Sequence, residues 1–467
     1  MPPRIAFFVY CLFILWLLVR DFKRPDKVSG ALWIPLLWMF ILGSRPITLW
    51  LGLGSQLDSS VDYSEGSPAD RFSFLCLIFA GLYVLAKRGF RLGTFMTWNR
   101  CLCLFYLFWA VSILWSPDPF VSFKRWIKEA GNVVMVLVIL TEPNPLAAAR
   151  AVFARLSFIL IPLSVLFIKY FPDWGRVYNH WTWLPSVTGV TTDKNALGEL
   201  VLVCGLSMAW EALAYRPASK IPRNWQDMLG KGLVALMTIW LMSKANSATS
   251  LVCLVLGVGL LLALRIPRLQ RDLKHVEIYA LALALIVGAI NLVFPVSEFF
   301  AHGVGRNMTL TDRTYIWKLA LQVDQSPVLG SGFYSFWMTR ASEKITDVFE
   351  GINQAHNGYI ETYLNGGMVA VGLLIIALLA GYFNIKRELL KGSQLASLAL
   401  VLFITGLVHN VTEASFNRVA IIWFVMLLAM IRIPQMMQEE IAESAAEPVK
   451  ITPTEKLLPV MPRMSEQ

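Results

Sequence analysis

The sequence predicts an all-α, polytopic membrane helix bundle of about 12–13 spans with one long polar loop on its outer side. Three observations predict it. Of 467 residues 56% are hydrophobic and 15% charged, where a soluble domain carries about 25% charge, and the mean hydropathy is +0.58. The apolar residues gather in runs close to the ~20 residues that cross a bilayer. The basic residues gather in alternate loops between those runs. Together these exclude an ordinary soluble enzyme and a disordered chain. The net charge of +10 then reads as cytoplasmic loop charge, and no nucleic-acid partner is expected.

Thirteen stretches qualify as spans: 5–19, 31–51, 72–86, 101–115, 125–141, 152–171, 196–214, 232–246, 249–264, 276–296, 367–385, 394–409 and 418–431. The first, from Ile5 to Arg20, has no Ala-x-Ala cleavage site and reads as a retained span. The fifth is the least apolar. It opens with the amphipathic FVSFKRWIKEAGN, whose Lys124, Arg125 and Lys128 read as membrane anchors. The six cysteines all lie in apolar runs without Cys-x-x-Cys spacing, which supports neither a disulfide framework nor a zinc site.

Basic loops follow the first, third, seventh, ninth and eleventh stretches (Arg20–Lys27, Lys87–Arg100, Arg216–Lys231, Arg265–Lys274, Lys386–Lys391). With Arg150, Arg155 and the tail, they hold the majority of the 41 Lys and Arg. An even number of spans separates each from the next, so all fall on one side, the cytoplasm. The N-terminus is then outside and the tail inside. The expected organisation is helices over 1–296, an outer polar loop over 297–366, helices over 367–432 and a disordered cytoplasmic tail over 433–467. Lys244 falls in a short outer turn.

Chemistry-bearing residues concentrate in that outer loop. In DRTYIWKLALQVDQSPVLGSGFYSFW (312–337), Tyr315, Ile316, Leu319, Leu321 and Val323 suggest an amphipathic helix on the membrane surface. Pro327 ends it, and Gly330-Ser331-Gly332 forms a turn able to bring N–H groups to a ligand. In QAHNGYIETYLNGGMVAVGLL (354–374), Asn357 caps a short helix, and Gly366-Gly367 marks its passage into the next span.

Arg-x-x-x-Trp (Arg313), Ser-Pro-x-x-Gly-x-Gly (326–332), His-Asn-x-x-x-Glu (356–361) and the Gly-Gly pair resemble the O-antigen ligase and polymerase superfamily. TTDKNALG (191–198), KANSATSL (244–251) and NVTEASFNR (410–418) look closer to its exopolysaccharide-polymerase branch. The resemblance covers roughly 110–430. It implies a GT-C-like glycosyltransferase of the bacterial inner membrane, with no cofactor and no metal, whose site faces the periplasm. Such proteins take a glycan from an undecaprenyl-diphosphate-linked oligosaccharide and pass it to a glycan acceptor, surrounded by membrane lipids and in some systems helped by a copolymerase. The family's histidine corresponds to His356, and the arginine ahead of its tryptophan to Arg313.

Elementary chemistry agrees. A polyprenyl diphosphate leaves readily once its charge is stabilised, which a fixed guanidinium does through a fork matched to phosphate oxygens. The acceptor hydroxyl needs a base that is neutral near pH 7, the property of histidine. The expected roles are His356 as general base, Arg313 and Lys194 as diphosphate ligands, and Glu361 and Asn357 as residues orienting a sugar or the helix. A pairing of His356 with Glu361 is not expected, because five residues do not share a helical face. His409 with Glu413 is expected to shape the site from the last outer turn, with His180 and His302 in reserve. Each role has a plainer counterpart: a helix cap for the His-Asn pair, a snorkelling cation for Arg313, a headgroup anchor for Lys194. Two rival functions share the pattern in part, an O-antigen ligase acting on lipid A–core and, from another class, a membrane transporter.

Overall fold

The computed structural model of the chain describes residues 1–24, 26, 28–53, 67–178, 185–216, 225–267, 310–323, 325–349 and 352–434. They form α1 (Pro3–Phe22), α2 (Trp33–Leu42), α3 (Pro68–Lys87), α4 (Arg100–Ser112), α5 (Pro119–Leu140), α6 (Pro145–Tyr170), α7 (Lys194–Leu213), α8 (Trp225–Ala245) and α9 (Ala248–Ala263). After the next described segment begins come α10 (Leu310–Gln322), α11 (Arg340–Thr346), α12 (Gly358–Leu390), α13 (Gln394–Thr412) and α14 (Ile421–Met430). The strands β1 (Arg176–Tyr178) and β2 (Pro185–Val187) make a small antiparallel hairpin. The chain is an all-α polytopic membrane protein.

The helix starts are written locally. Ser67, Asp118, Asn144, Asp193, Ser247, Asn357 and Ser393 each accept a hydrogen bond from the first turn of the helix they precede. In α3, α5 and α6 a proline follows in that turn, where its missing N–H costs nothing. Helix α6 is the central post, with most of its length buried against α1, α7 and α8. Small residues let neighbours close in: a side chain at Gly131 of α5 would collide with the Trp38 ring of α2.

Every apolar stretch proposed above falls on a helix except 276–296, which lies outside the described residues, as do His180, Trp181, Trp183, His275, His302 and the tail from 435. Among the described residues seven helices are long and apolar enough to cross a membrane, eight if Leu92–Trp98 and Arg100–Trp115, bent by 104°, form one span. Gly30–Leu42, Ala248–Ala263 and Ile421–Met430 are apolar but short. Helix α5 has 22 residues, and Lys124, Arg125, Lys128 and Glu129 make its first half amphipathic.

Successive helices run in opposite directions, so their ends collect on two faces. One face gathers the C-terminal ends of α6 and α13 and the N-terminal ends of α7 and α12, with α10 and α11 beside them. Lys244 is exposed at the turn between α8 and α9. Helix α10 is not a simple surface helix. Leu319, Ala320 and Val323 turn into a separate small core with Phe336, Ile345 and Leu364, and Ile316 is buried, while Tyr315 and Leu321 are exposed. The described part of the polar loop therefore has an apolar centre of its own.

Candidate functional site

A broken helix positions His356. In α12, Gly367 leaves helical geometry at φ 61°, ψ −165°, so a short helix from Gly358 precedes the membrane segment. Such a break frees backbone groups, and the Ser326–Gly332 loop takes them up. Met368 and Val369 donate to the carbonyls of Pro327 and Val328 at 2.9 and 3.2 Å, and Ser331 and Gly332 donate to those of Leu364 and Asn365 at 3.2 and 2.8 Å. A Cβ on Gly367 would strike the Val328 carbonyl. The Gly330-Ser331-Gly332 turn, expected to offer N–H groups to a ligand, spends them on this break; Gly330 itself donates to Ser326 at 2.9 Å.

At the head of this helix Asn357 accepts from Tyr359 and Ile360 at 3.0 and 3.1 Å and donates to the Val411 carbonyl at 2.9 Å. Asn357 is thus a cap tied to the end of α13. Glu361 is also enclosed, 4% exposed, accepting from Trp337 (2.9 Å), the Ala355 N–H (2.9 Å) and Arg418 (3.1 Å). Its carboxylate orients the His356 turn from behind and is not part of the cavity wall. The His356 backbone is left-handed at φ 49°. Among the described residues the other non-glycine positions of this kind are Asn246, Tyr334 and Asn417, and the last two flank Arg418 in space and in sequence. Such strain gathers where a site over-determines its backbone.

The His356 ring reaches Glu413, with Nδ1 3.4 Å from Oε2. The other oxygen of Glu413 accepts from Arg313 Nη2 at 2.8 Å, and Arg313 Nη1 donates to the Thr412 carbonyl. Three segments, around residues 313, 356 and 413, thus meet on one carboxylate. Burial disfavours the charge on Glu413, but the His356 hydrogen bond and the Arg313 guanidinium outweigh it and hold the carboxyl below its ordinary 4.5.

Beside this pair lies a cavity of about 420 Å³, walled by the start of α7 (Asp193, Lys194, Glu199), the hairpin, Gln354, His356 and Glu413. Its hairpin wall is fixed from below. Arg45, 3% exposed, donates to the carbonyls of Trp174 (2.7 Å), Gly189 (2.9 Å), Val190 (3.1 Å) and Thr191 (3.3 Å), against the rings of Trp50, Phe167 and Trp174.

The sequence-derived candidates thus separate. His356 and Lys194 line one cavity. Arg313 stands behind Glu413, with both Nη atoms on protein oxygens, and is not on the wall. Asn357 and Glu361 hold the backbone. His409 is 1% exposed inside α13, with Nε2 3.8 Å from Glu199. Sequence reading did not single out Glu199 or Arg418. Arg418 joins Gln354 (2.8 Å) to Glu361 and lies 4.7 Å from the centre of the Tyr334 ring, which Arg125 also faces. The available signal was their position one turn beyond TTDKN and at the end of NVTEASFNR.

Comparison with known proteins gives two findings. Residues 232–375 match the family model described as O-antigen ligase. That stretch includes Arg313, His356, Asn357 and Glu361 and leaves out Lys194, Glu413 and Arg418. The chain is also similar to the exopolysaccharide production protein ExoQ of Rhizobium meliloti (strain 1021), at 25% identity over 296 residues. The match takes in 62% of this chain and spans 65% of that relative's length.

Proposed function

From a chain that belongs to the O-antigen ligase and polymerase family, we propose a polysaccharide polymerase that joins undecaprenyl-diphosphate-linked oligosaccharide repeats on the periplasmic face of the bacterial inner membrane. The observation that carries this reading is the meeting of His356 and Glu413 at the wall of a cavity that Lys194 also lines.

In the proposed reaction Glu413 accepts a hydrogen bond from the protonated Nδ1 of His356, which fixes the tautomer with its lone pair on Nε2. The acceptor sugar hydroxyl loses its proton to Nε2 as its oxygen bonds to the anomeric carbon of the carrier-linked glycan. The bond from that carbon to the diphosphate oxygen breaks, and undecaprenyl diphosphate departs with its electron pair. One displacement inverts the anomeric centre. Lys194 on the wall, and Arg313 once a phosphate competes with Glu413 for its guanidinium, stabilise the departing charge.

A second reading, an O-antigen ligase acting on lipid A–core, is favoured by the description of the matching family; the polymerase reading is favoured by the name of the relative. Purified protein given only an undecaprenyl-diphosphate-linked repeat separates them. A polymerase lengthens the glycan unaided, whereas a ligase releases none until core acceptor is added.

A further inference from the structure

On the face opposite the His356 cavity, three arginines converge on a groove that the proposed reaction does not use. The groove, about 380 Å³, runs between the start of α4 and the last turns of α12. Trp98, Arg100 and Arg387 line it together with the apolar Ala377, Gly381 and Met430. A third cation is fixed at its edge. Asn99 clamps the backbone of Arg432 from both sides, accepting from its N–H at 3.0 Å and donating to its carbonyl at 2.9 Å, and the Arg432 guanidinium lies 4.2 Å from the centre of the Trp98 ring.

Among the described residues this charge is poorly compensated. Burial and the neighbouring Arg387 push Arg432 below its ordinary value, with Glu388 opposing. The Glu388 carboxylate in turn accepts from Lys391 at 2.8 Å. Like charges held together by a packed backbone favour an anion between them. The depth of the groove indicates which anion. Arg387 lies twenty residues beyond the Gly367 break, about 30 Å of helix and one hydrocarbon thickness, which sets it at headgroup level. Above it along α12, Ile375, Ile376, Leu379 and Phe383 are 49–54% exposed, a surface for acyl chains.

We propose that this groove binds an anionic phospholipid, with its phosphate among Arg100, Arg387 and Arg432 and its tails along α12. The site is independent of the glycosyl-transfer reading. The test uses the full chain in neutral detergent with photoreactive phosphatidylglycerol, crosslinks being mapped by mass spectrometry. Expected are crosslinks within 97–102 and 377–387, tighter retention of phosphatidylglycerol than of phosphatidylethanolamine, and about fivefold weaker retention for each of Arg387→Gln and Arg432→Gln. Crosslinks confined to other surfaces, equal retention of the two lipids, or unchanged retention by both variants would overturn it. The wild-type crosslink map stands even if a variant folds poorly. Displacement of the lipid by millimolar inorganic phosphate as readily as by unlabelled phosphatidylglycerol would assign the groove to free phosphate and also overturn the proposal.

Discussion

Both faces of the bundle bury charge, but they surround it differently. On the face away from His356, Asp21 of α1 pairs with Arg150 and, at 2.8 Å, with Arg155 of α6. Glu211 of α7 takes Lys231 (2.6 Å), Arg150 (2.9 Å) and Arg24 (3.3 Å). The space enclosed beside that network is about 20 Å³, room for one water. On the His356 face, Glu413 sits between Arg313 and His356 beside about 420 Å³. The ingredients are alike, so buried ion pairs alone do not mark a working site. What sets the His356 face apart is the space beside its carboxylate.

That contrast can be broken from either side. His356→Ala should lower glycan extension by 10²–10⁴-fold, the usual contribution of a general base, with normal expression and elution. Arg150→Ala should do the reverse. It leaves buried carboxylates under-compensated, a loss of about 3–5 kcal/mol seen as a lower unfolding temperature in detergent, while extension per folded molecule is kept. Glu413→Gln retains shape but mis-sets the imidazole, and about 10²-fold of extension should be lost. Its stability should also differ with pH. The depressed Glu413 carboxyl stabilises the fold above its ordinary 4.5 and loses that contribution only as pH falls through the lowered folded value. Acid melts of the wild type should show this loss and those of the variant should lack it. Lys194→Gln, at the exposed start of α7, should have the smallest effect, about tenfold in KM for the carrier-linked glycan with kcat little changed.

Local chemistry made part of this legible in the sequence. The Asn357 cap and the Gly366-Gly367 passage depend on neighbours within a few residues, and a hydrophilic His-Asn block between apolar runs is visible without coordinates. What escaped was long-range. The sequence puts Glu413 near the site but does not show its contacts: it is 57 residues from His356 and 100 from Arg313, and no periodicity links them. Glu361 shows the opposite limit: a carboxylate in a promising motif is occupied by Trp337, Ala355 and Arg418, none predictable from spacing. The Gly330-Ser331-Gly332 turn was recognisable as a turn, but its partner, the broken helix at Gly367, appears only once both are folded. Among the described residues, amphipathic α5 and short α2, α9 and α14 are apolar stretches that read as spans in the sequence but differ in length or composition from the seven long apolar helices.

In the proposed mechanism His356 and Glu413 act as one unit on the acceptor hydroxyl. A double-variant cycle tests it most directly, using proteoliposomes, a defined undecaprenyl-diphosphate repeat, and His356→Ala, Glu413→Gln and both together. A single unit predicts that the double variant extends glycan no more slowly than His356→Ala alone. Multiplying losses, or full extension by His356→Ala, would contradict it.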